Sequence, residues 1–329
     1  MYIVTGGAGF IGSCFVKKLN DHGITDIIIV DKMNSSEKWK NLRNLKYKEY
    51  QELETFKHTM SRYSLYDRVV DKSVWHFGAC SDTTVTDSAY MMDNNYKFSC
   101  DLYDWSIRNG FRFVYASSAA TYGAREDKFI DDTTDIYNLR PLNAYGYSKH
   151  LFDTHVLQNK GFSKHKAIGL KFFNVFGPNE YHKGDMRSII CKKYSEIKNT
   201  KQITLFKSYR LGYTHGDQQR DFIYIKDALN ILIKIALNKK IAGGLYNIGS
   251  GIATTWNEVA ISMYNAIYPG RRPVIKYIEM PEKLKGKYQY YTKADITKLK
   301  LSGLLCDFTP IQESVKDYIV NYIDKDNYL

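Results

Sequence analysis

Apolar and polar positions in the first half of the chain alternate between two periods. Short β-branched runs at residues 2–5, 27–30, 74–77, 113–116 and 167–172 read as strands. Longer amphipathic stretches at 10–22, 88–108 and 147–158 read as the helices that join them. Such strand–helix–strand alternation predicts an α/β fold built on a parallel sheet. Past Asn174 the alternation breaks down. Loops are expected at 177–184 and 207–221, while a helix at 227–237 and a strand at 244–248 rejoin the sheet. A mixed region from Thr254 onward carries helices near 255–267 and 311–323. No internal repeat or low-complexity linker interrupts the pattern. The expected organisation is a discontinuous nucleotide-binding lobe (1–172 and 221–250) with a smaller mixed α/β C-terminal substrate domain (173–220 and 251–329).

Thr5-Gly6-Gly7-Ala8-Gly9-Phe10-Ile11-Gly12 falls between the first strand and the first helix. In that context the glycines at 6, 9 and 12 have distinct uses. Gly6 permits a tight turn, Gly9 lets backbone N–H groups approach a pyrophosphate, and Gly12 lets helix and strand pack closely. Asp31 closes the second strand at the distance expected of a ribose partner. The combination predicts a Rossmann-type doubly wound sheet that binds a nicotinamide dinucleotide. Asp31 alone favours NAD, but Lys32 and Lys38 lie beside it, and cations there accept a 2′-phosphate, so NADP is expected over NAD.

The bulk properties exclude several classes. The chain has 329 residues, of which 44% are hydrophobic, enough for a sizeable core in one large unit or two lobes. Its formal charge of +12 comes from dispersed lysines without a recognition-helix or RNA-binding motif, so no nucleic-acid partner is expected. No apolar run approaches the ~18 residues of a membrane span, and Met1-Tyr2-Ile3-Val4 runs into the glycine turn without a basic leader, which reads as cytoplasmic. Cys14, Cys80, Cys100, Cys191 and Cys306 are scattered and fit reduced thiols. The eight histidines show no ligand spacing with Cys or Asp, so no metal is expected.

Tyr145-Gly146-Tyr147-Ser148-Lys149 places a phenol and an ammonium at i and i+4, on one face of a predicted helix. A phenol titrates near ~10 and is a poor base at neutral pH. A neighbouring ammonium and an oxidised nicotinamide ring are expected to lower that value. Upstream, Tyr115-Ala116-Ser117-Ser118 ends a strand and presents the Ser118 hydroxyl where a substrate oxygen could be held.

Together these elements resemble the extended short-chain dehydrogenase/reductase superfamily. Further segments look like the ADP-L-glycero-D-manno-heptose 6-epimerase family within it: Gly78-Ala79-Cys80-Ser81, Met91-Met92-Asp93-Asn94-Asn95-Tyr96, Ser117 through Gly123, Phe173-Asn174-Val175-Phe176-Gly177-Pro178, His182-Lys183-Gly184, Arg220-Asp221-Phe222 and Lys283 through Gln289. The resemblance runs essentially end to end. It implies an isomerase that oxidises C6 of a nucleotide-linked heptose with NADP and returns the hydride to the opposite face. It further implies Tyr145 as acid/base on one face and Lys183 on the other, with Ser118 on the reacting oxygen and Lys149 on the nicotinamide ribose. Gly6, Gly9, Phe10, Ile11, Gly12, Asp31, Lys32, Lys38, Phe77, Gly78, Ala79, Cys80, Ser81, Asn94, Val175, Lys149 and Lys183 would face the cofactor. Ser118, Asn174, Asp185, Lys192, Phe206, Arg220 and Tyr288 would face the substrate, the two-pronged donors of Arg220 suiting a pyrophosphate. A homo-oligomer, a pentamer in the family, is implied as well.

The chain departs from the family pattern at four places. Asp185 stands where a small hydroxyl residue is usual, Lys192 replaces a histidine, Leu53 falls where a cofactor-facing lysine is usual, and the loop 209–219 is longer. Except for Leu53 these departures lie on the sugar or nucleotide side, so they leave a different heptose or nucleotide, such as a GDP-linked sugar, as the alternative. Ala119 and Ala120 occupy positions where related dehydratases carry acidic residues, which argues against elimination of water. A non-catalytic dinucleotide-binding protein is the remaining alternative, and it has no use for Tyr145, Lys149 and Ser118 together.

Overall fold

The computed structural model describes residues 1–34, 36–62, 71–285 and 288–329. Its twelve strands among those residues are β1 (Tyr2–Thr5), β2 (Ile27–Asp31), β3 (Glu49–Glu52), β4 (Ser73–His76), β5 (Arg112–Ser118), β6 (Ile168–Phe172), β7 (Asn174–Phe176), β8 (Ile203–Phe206), β9 (Gln219–Tyr224), β10 (Gly244–Ile248), β11 (Ala253–Thr255) and β12 (Ile275–Ile278). Seven form one sheet in the order β10-β6-β5-β4-β1-β2-β3, and every pairing in it is parallel. A parallel sheet needs cover on both faces. Accordingly β2, β6 and β10 are buried at every position, while the edge strand β3 is mostly half-exposed. The sheet is the expected doubly wound one.

Strand order reverses at β1, which lies between β2 and β4. Ligands of such sheets bind in the crevice outside the carboxyl ends of the strands at this switch point. The candidate residues cluster there because Thr5, His76, Ser118 and Phe172 all end strands on the same edge. Thr5 and His76 are also tied directly: the threonine hydroxyl and His76 Nδ1 are 2.6 Å apart, and His76 Nε2 lies 2.8 Å from the Ser99 hydroxyl. Burial pushes the His76 imidazole down to about 3, so it joins these partners as a neutral ring.

Two smaller sheets follow in the second half. One has the order β11-β9-β7, with β9 parallel to β7 and antiparallel to β11, and the other pairs β8 with β12 in parallel. Asp221 on β9 is 0% exposed and gathers four donors. Its Oδ1 accepts from Ser250 N–H at 2.7 Å and from the Ser250 hydroxyl at 2.9 Å, and Oδ2 accepts from the N–H groups of Gly251 and Ala294, both at 2.9 Å. One carboxylate thus joins β9 to the turn after β10 and to the chain beyond β12.

Some expectations need correction. The loop expected at 177–184 runs into a 3₁₀ segment, Tyr181–Met186, broken at Gly184 (φ 54°), and the loop expected at 207–221 ends in β9. Strand β3 (Glu-Tyr-Gln-Glu) and the helix Leu53–Arg62 after it are absent from the periodicity reading, because the strand is a polar edge with no apolar period. The helix expected at 88–108 contains a π-helical stretch at Met92–Lys97.

Asp221→Asn presents an amide N–H₂ to donors that need an acceptor. It is expected to destabilise the protein by about 2–4 kcal/mol, read from urea unfolding at constant m-value.

Candidate active site

The glycine turn meets the helix Phe10–Asp21 with almost no clearance. A Cβ on Gly12 would lie 2.2 Å from the Gly6 carbonyl oxygen, and Gly6 itself has φ +68°. Gly9 caps the helix without a side-chain acceptor, which leaves the first-turn N–H groups free to face an anion. This cradle fits a dinucleotide pyrophosphate. At the end of β2, Asp31 Oδ2 accepts from Ala8 N–H at 2.8 Å, and its Oδ1 accepts from Lys32 N–H and from Lys38 Nζ, both at 2.7 Å. The carboxylate therefore stabilises the turn as well as pairing with Lys38.

A cleft of about 940 Å³ extends from this turn past the ends of β4, β5 and β6. Gly6, Gly9, Phe10, Ile11, Gly12, Asp31, Lys38 and the run from Phe77 to Ser81 line it. So do Ser118, Tyr145, Lys149, Asn174, Val175, Lys183, Asp185, Lys192, Phe206 and Tyr288. Three expected residues stand off its lining. Lys32 contributes a backbone N–H to Asp31. Asn94 donates to Asn95 Oδ1 at 2.9 Å. The guanidinium of Arg220 lies 5.2 Å from the Tyr288 ring centroid and donates to the carbonyls of Gln219 and Gln289. Leu53, the apolar departure, packs against the core beside the sheet.

Helix Ala144–Gln158 carries the YxxxK pair and starts at Asn143, whose side chain accepts from Gly146 N–H at 2.8 Å. Tyr145 and Ser118 line the cleft together, and Ser118 favours the phenolate. Lys149 Nζ donates to the Ala116 carbonyl at 2.8 Å. The expected lowering of the phenol is not what these groups produce on their own. Burial raises Tyr145, Ser118 only partly opposes it, and Lys149 is not among the causes. Burial also pushes the Lys149 amine down to about 8. At Tyr145 desolvation wins because burial penalises the phenolate more than Ser118 favours it.

Behind these groups lies an ion pair invisible to motif reading. Lys171 Nζ and Asp153 Oδ2 are 2.8 Å apart with side chains 1% and 0% exposed. Asp153 also accepts from the hydroxyls of Tyr115 and Ser117 at 2.8 Å, and Lys171 donates to Thr121 Oγ1 at 2.6 Å. Asp153 follows Lys149 by four residues on the same helix, so the pair fixes the helix against β5 and β6 where Ser118 ends β5. Asn95, beside the expected Asn94, is a second such residue. Fully buried in the π turn, it accepts from Cys80 N–H at 2.8 Å and donates to the Cys80 carbonyl at 2.9 Å, holding the wall from Gly78 to Ser81.

Lys183 lies on the segment Tyr181–Met186 and lines the same cleft, with its amine 5.5 Å from the Phe10 ring centroid. Burial lowers its pKa, and the charge of Glu180 acts against that. Buried Asn179 anchors the start of this segment. Its side chain donates to the Ser13 hydroxyl and accepts from Leu329 N–H, both at 2.9 Å, and its carbonyl accepts from Asn41 at 3.2 Å.

Comparison with known proteins agrees with this geometry. The pattern of the NAD dependent epimerase/dehydratase family matches residues 2–249. The chain belongs to that family. A nicotinamide dinucleotide is therefore its cofactor, and the glycine cradle fits one. Within the epimerase/dehydratases the chain is 46% identical over 324 residues to the ADP-L-glycero-D-manno-heptose-6-epimerase of Nitratidesulfovibrio vulgaris, covering 98% of each chain. It is 42% identical over 336 residues to the enzyme of that name from Fusobacterium nucleatum, covering 100% of each. The solved structure of Helicobacter pylori ADP-L-glycero-D-manno-heptose-6-epimerase superposes with a TM-score of 0.78 at 26% identity, covering 97% of this chain and 95% of that one. The family resemblance read from the motifs is borne out, and so is the Rossmann-like sheet. Among the described residues no group of three or more His, Cys, Asp or Glu is placed to hold a metal, and no helix is long and apolar enough to cross a membrane.

For this epimerase/dehydratase fold the Asp153–Lys171 pair has a measurable cost of rupture. Lys171→Met leaves a buried carboxylate without its cation and is expected to lose about 3–5 kcal/mol of stability. Asp153→Asn/Lys171→Met should lose less than the sum of the two single variants in a denaturant double-mutant cycle.

Proposed function

We propose that the protein inverts C6 of an ADP-linked glycero-manno-heptose through a transient ketone, using NADP, and that it works as a homo-oligomer. One observation carries the reading: Tyr145 with Ser118, and Lys183 from another element, open into the same cleft as the glycine turn. The names of the full-length relatives point to the sugar. Residues 1–172 and 221–250 form the cofactor lobe in this proposal, and 173–220 and 251–329 the substrate lobe.

When bound, the nicotinamide ring accepts a hydride and gives it back, and in its oxidised form it adds a positive charge beside the phenol. Tyr145 removes the proton of the C6 hydroxyl on one face while Ser118 holds the oxygen. Lys183 serves the other face, where the ketone oxygen needs a proton for the inverted alcohol. Burial lowers the Lys183 pKa, so the amine gives up its proton more readily than a solvated lysine. Lys149 orients the cofactor ribose. Asn174, Phe206 and Tyr288 face the nucleotide-sugar, with Arg220 bracing Tyr288 from behind. Asp185 and Lys192 lie at the sugar side and meet through a 3.1 Å bond from Lys192 Nζ to the Asp185 carbonyl.

The NADP preference rests on the state of Asp31. With three donors already on its carboxylate, it has little capacity left for a ribose hydroxyl, and Lys38 beside it offers a cation to a 2′-phosphate.

Incubation with ADP-D-glycero-D-manno-heptose, followed by NMR of the C6 configuration, tests the reaction, and GDP- and CDP-linked sugars test the nucleotide. An unchanged C6 centre would sink the proposal. Tyr145→Phe and Lys183→Ala should each lower epimerisation by about 10²–10⁴-fold and still carry cofactor through purification. Wild-type turnover in either variant removes that residue from its role. Lys38→Ala should weaken NADP binding about tenfold or more and leave NAD binding nearly unchanged, measured by fluorescence titration.

A further inference from the structure

Lys183 is carried by a strap that leaves β7 at Phe176 and ends at Ser188, the cap of helix Ile189–Thr200. The two ends of this strap converge on one side chain. Glu180, 1% exposed, accepts from the Ser188 N–H at 2.5 Å and the Ser188 hydroxyl at 2.6 Å, and from Gly177 N–H at 3.4 Å. Its backbone carbonyl accepts from Lys183 N–H at 3.0 Å, which starts the turn bearing the lysine. A buried carboxylate is costly unless it is hydrogen-bonded and faces a cation. Burial raises the Glu180 pKa, and the hydrogen bonds from Ser188 and the charge of Lys183 oppose that rise in part.

We infer that Glu180 is a positioning residue for the second acid/base: its carboxylate closes the strap on itself and its carbonyl holds the turn that carries Lys183. The inference rests on the proposed role of Lys183. Groups on the neighbouring elements add no negative charge at Lys183. His182, next along the strap and facing the Asp31–Lys38 pair, is pushed down to about 4 by burial and stays neutral. Cys191 on the following helix is pushed up to about 11, and Cys14 on the glycine helix and Tyr318 on the C-terminal helix are raised by burial, so all three remain neutral. Glu180 is the group whose charge opposes burial at Lys183.

The sign of the consequence follows. Removing a negative charge near an ammonium lowers its pKa. In Glu180→Gln the limb of the kcat/KM–pH profile that depends on Lys183 should move to lower pH by about one unit. At the wild-type optimum kcat should fall at least about tenfold with KM for ADP-heptose little changed. Ser188→Ala, which withdraws one donor and so disfavours the carboxylate, should move the same limb in the same direction by less. Cofactor binding and thermal midpoint are measured alongside, so that Ser188→Ala decides the matter if Glu180→Gln does not fold. An unshifted profile in a folded variant overturns the inference. Lys183→Ala with wild-type turnover would instead overturn the underlying assignment of the lysine, and the two failures are distinct.

Discussion

The buried ion pair between Asp153 and Lys171 is the constraint on which the site depends. It joins a helix to two strands at the level where the reacting groups emerge. Tyr145, Lys149 and Asp153 follow one another at four-residue intervals, so one helical face presents two of them to the cleft and the third to the core. The hydroxyls of Ser117 and Tyr115 complete the carboxylate from β5, and Thr121 completes the amine. Such a pair adds little net stability over apolar packing, yet it tolerates only one arrangement of its partners. Register of the helix against β5 sets where the Tyr145 phenol meets Ser118, and the pair holds that register.

The two ends of the cleft use charge differently. At the glycine-turn end, Asp31 is saturated with donors and helps to build the turn. At the reacting end, burial works against each charged form: Tyr145 is held above its ordinary value, and Lys149 and Lys183 below theirs. Groups in that condition respond strongly to any new charge, because little water remains to screen it. In the proposed reaction an oxidised nicotinamide ring would supply such a charge and would tie the phenol's acidity to the presence and redox state of the cofactor.

Much of this was legible in the sequence, for physical reasons. The glycine turn shows because backbone clearances at Gly6 and Gly12 admit no side chain. The Tyr145–Lys149 spacing shows because helical geometry is local. What stayed hidden is held together across long separations. Asp153 and Lys171 each look like an ordinary charge until helix and strand are packed. Asn95 is indistinguishable from Asn94 until the π turn aims one of them at Cys80. Glu180 lies three residues from Lys183, but its meaning comes from Ser188 and Gly177 folding back upon it. The polar edge strand β3 was missed because the hydrophobic period has nothing to register there. Without the cofactor, burial raises Tyr145 and Lys149 does not offset it, which the i, i+4 spacing alone does not reveal.

Asn179 carries a consequence for how the site comes into being. Its amide grips Ser13 near one end of the chain and Leu329 at the other, and its carbonyl holds Asn41. The glycine cradle and the Tyr145 helix lie within the first half and can assemble as synthesis proceeds. The strap bearing Lys183 acquires its full anchorage only after residue 329 has left the ribosome. A nascent chain therefore completes the glycine cradle well before it fixes the strap that bears Lys183.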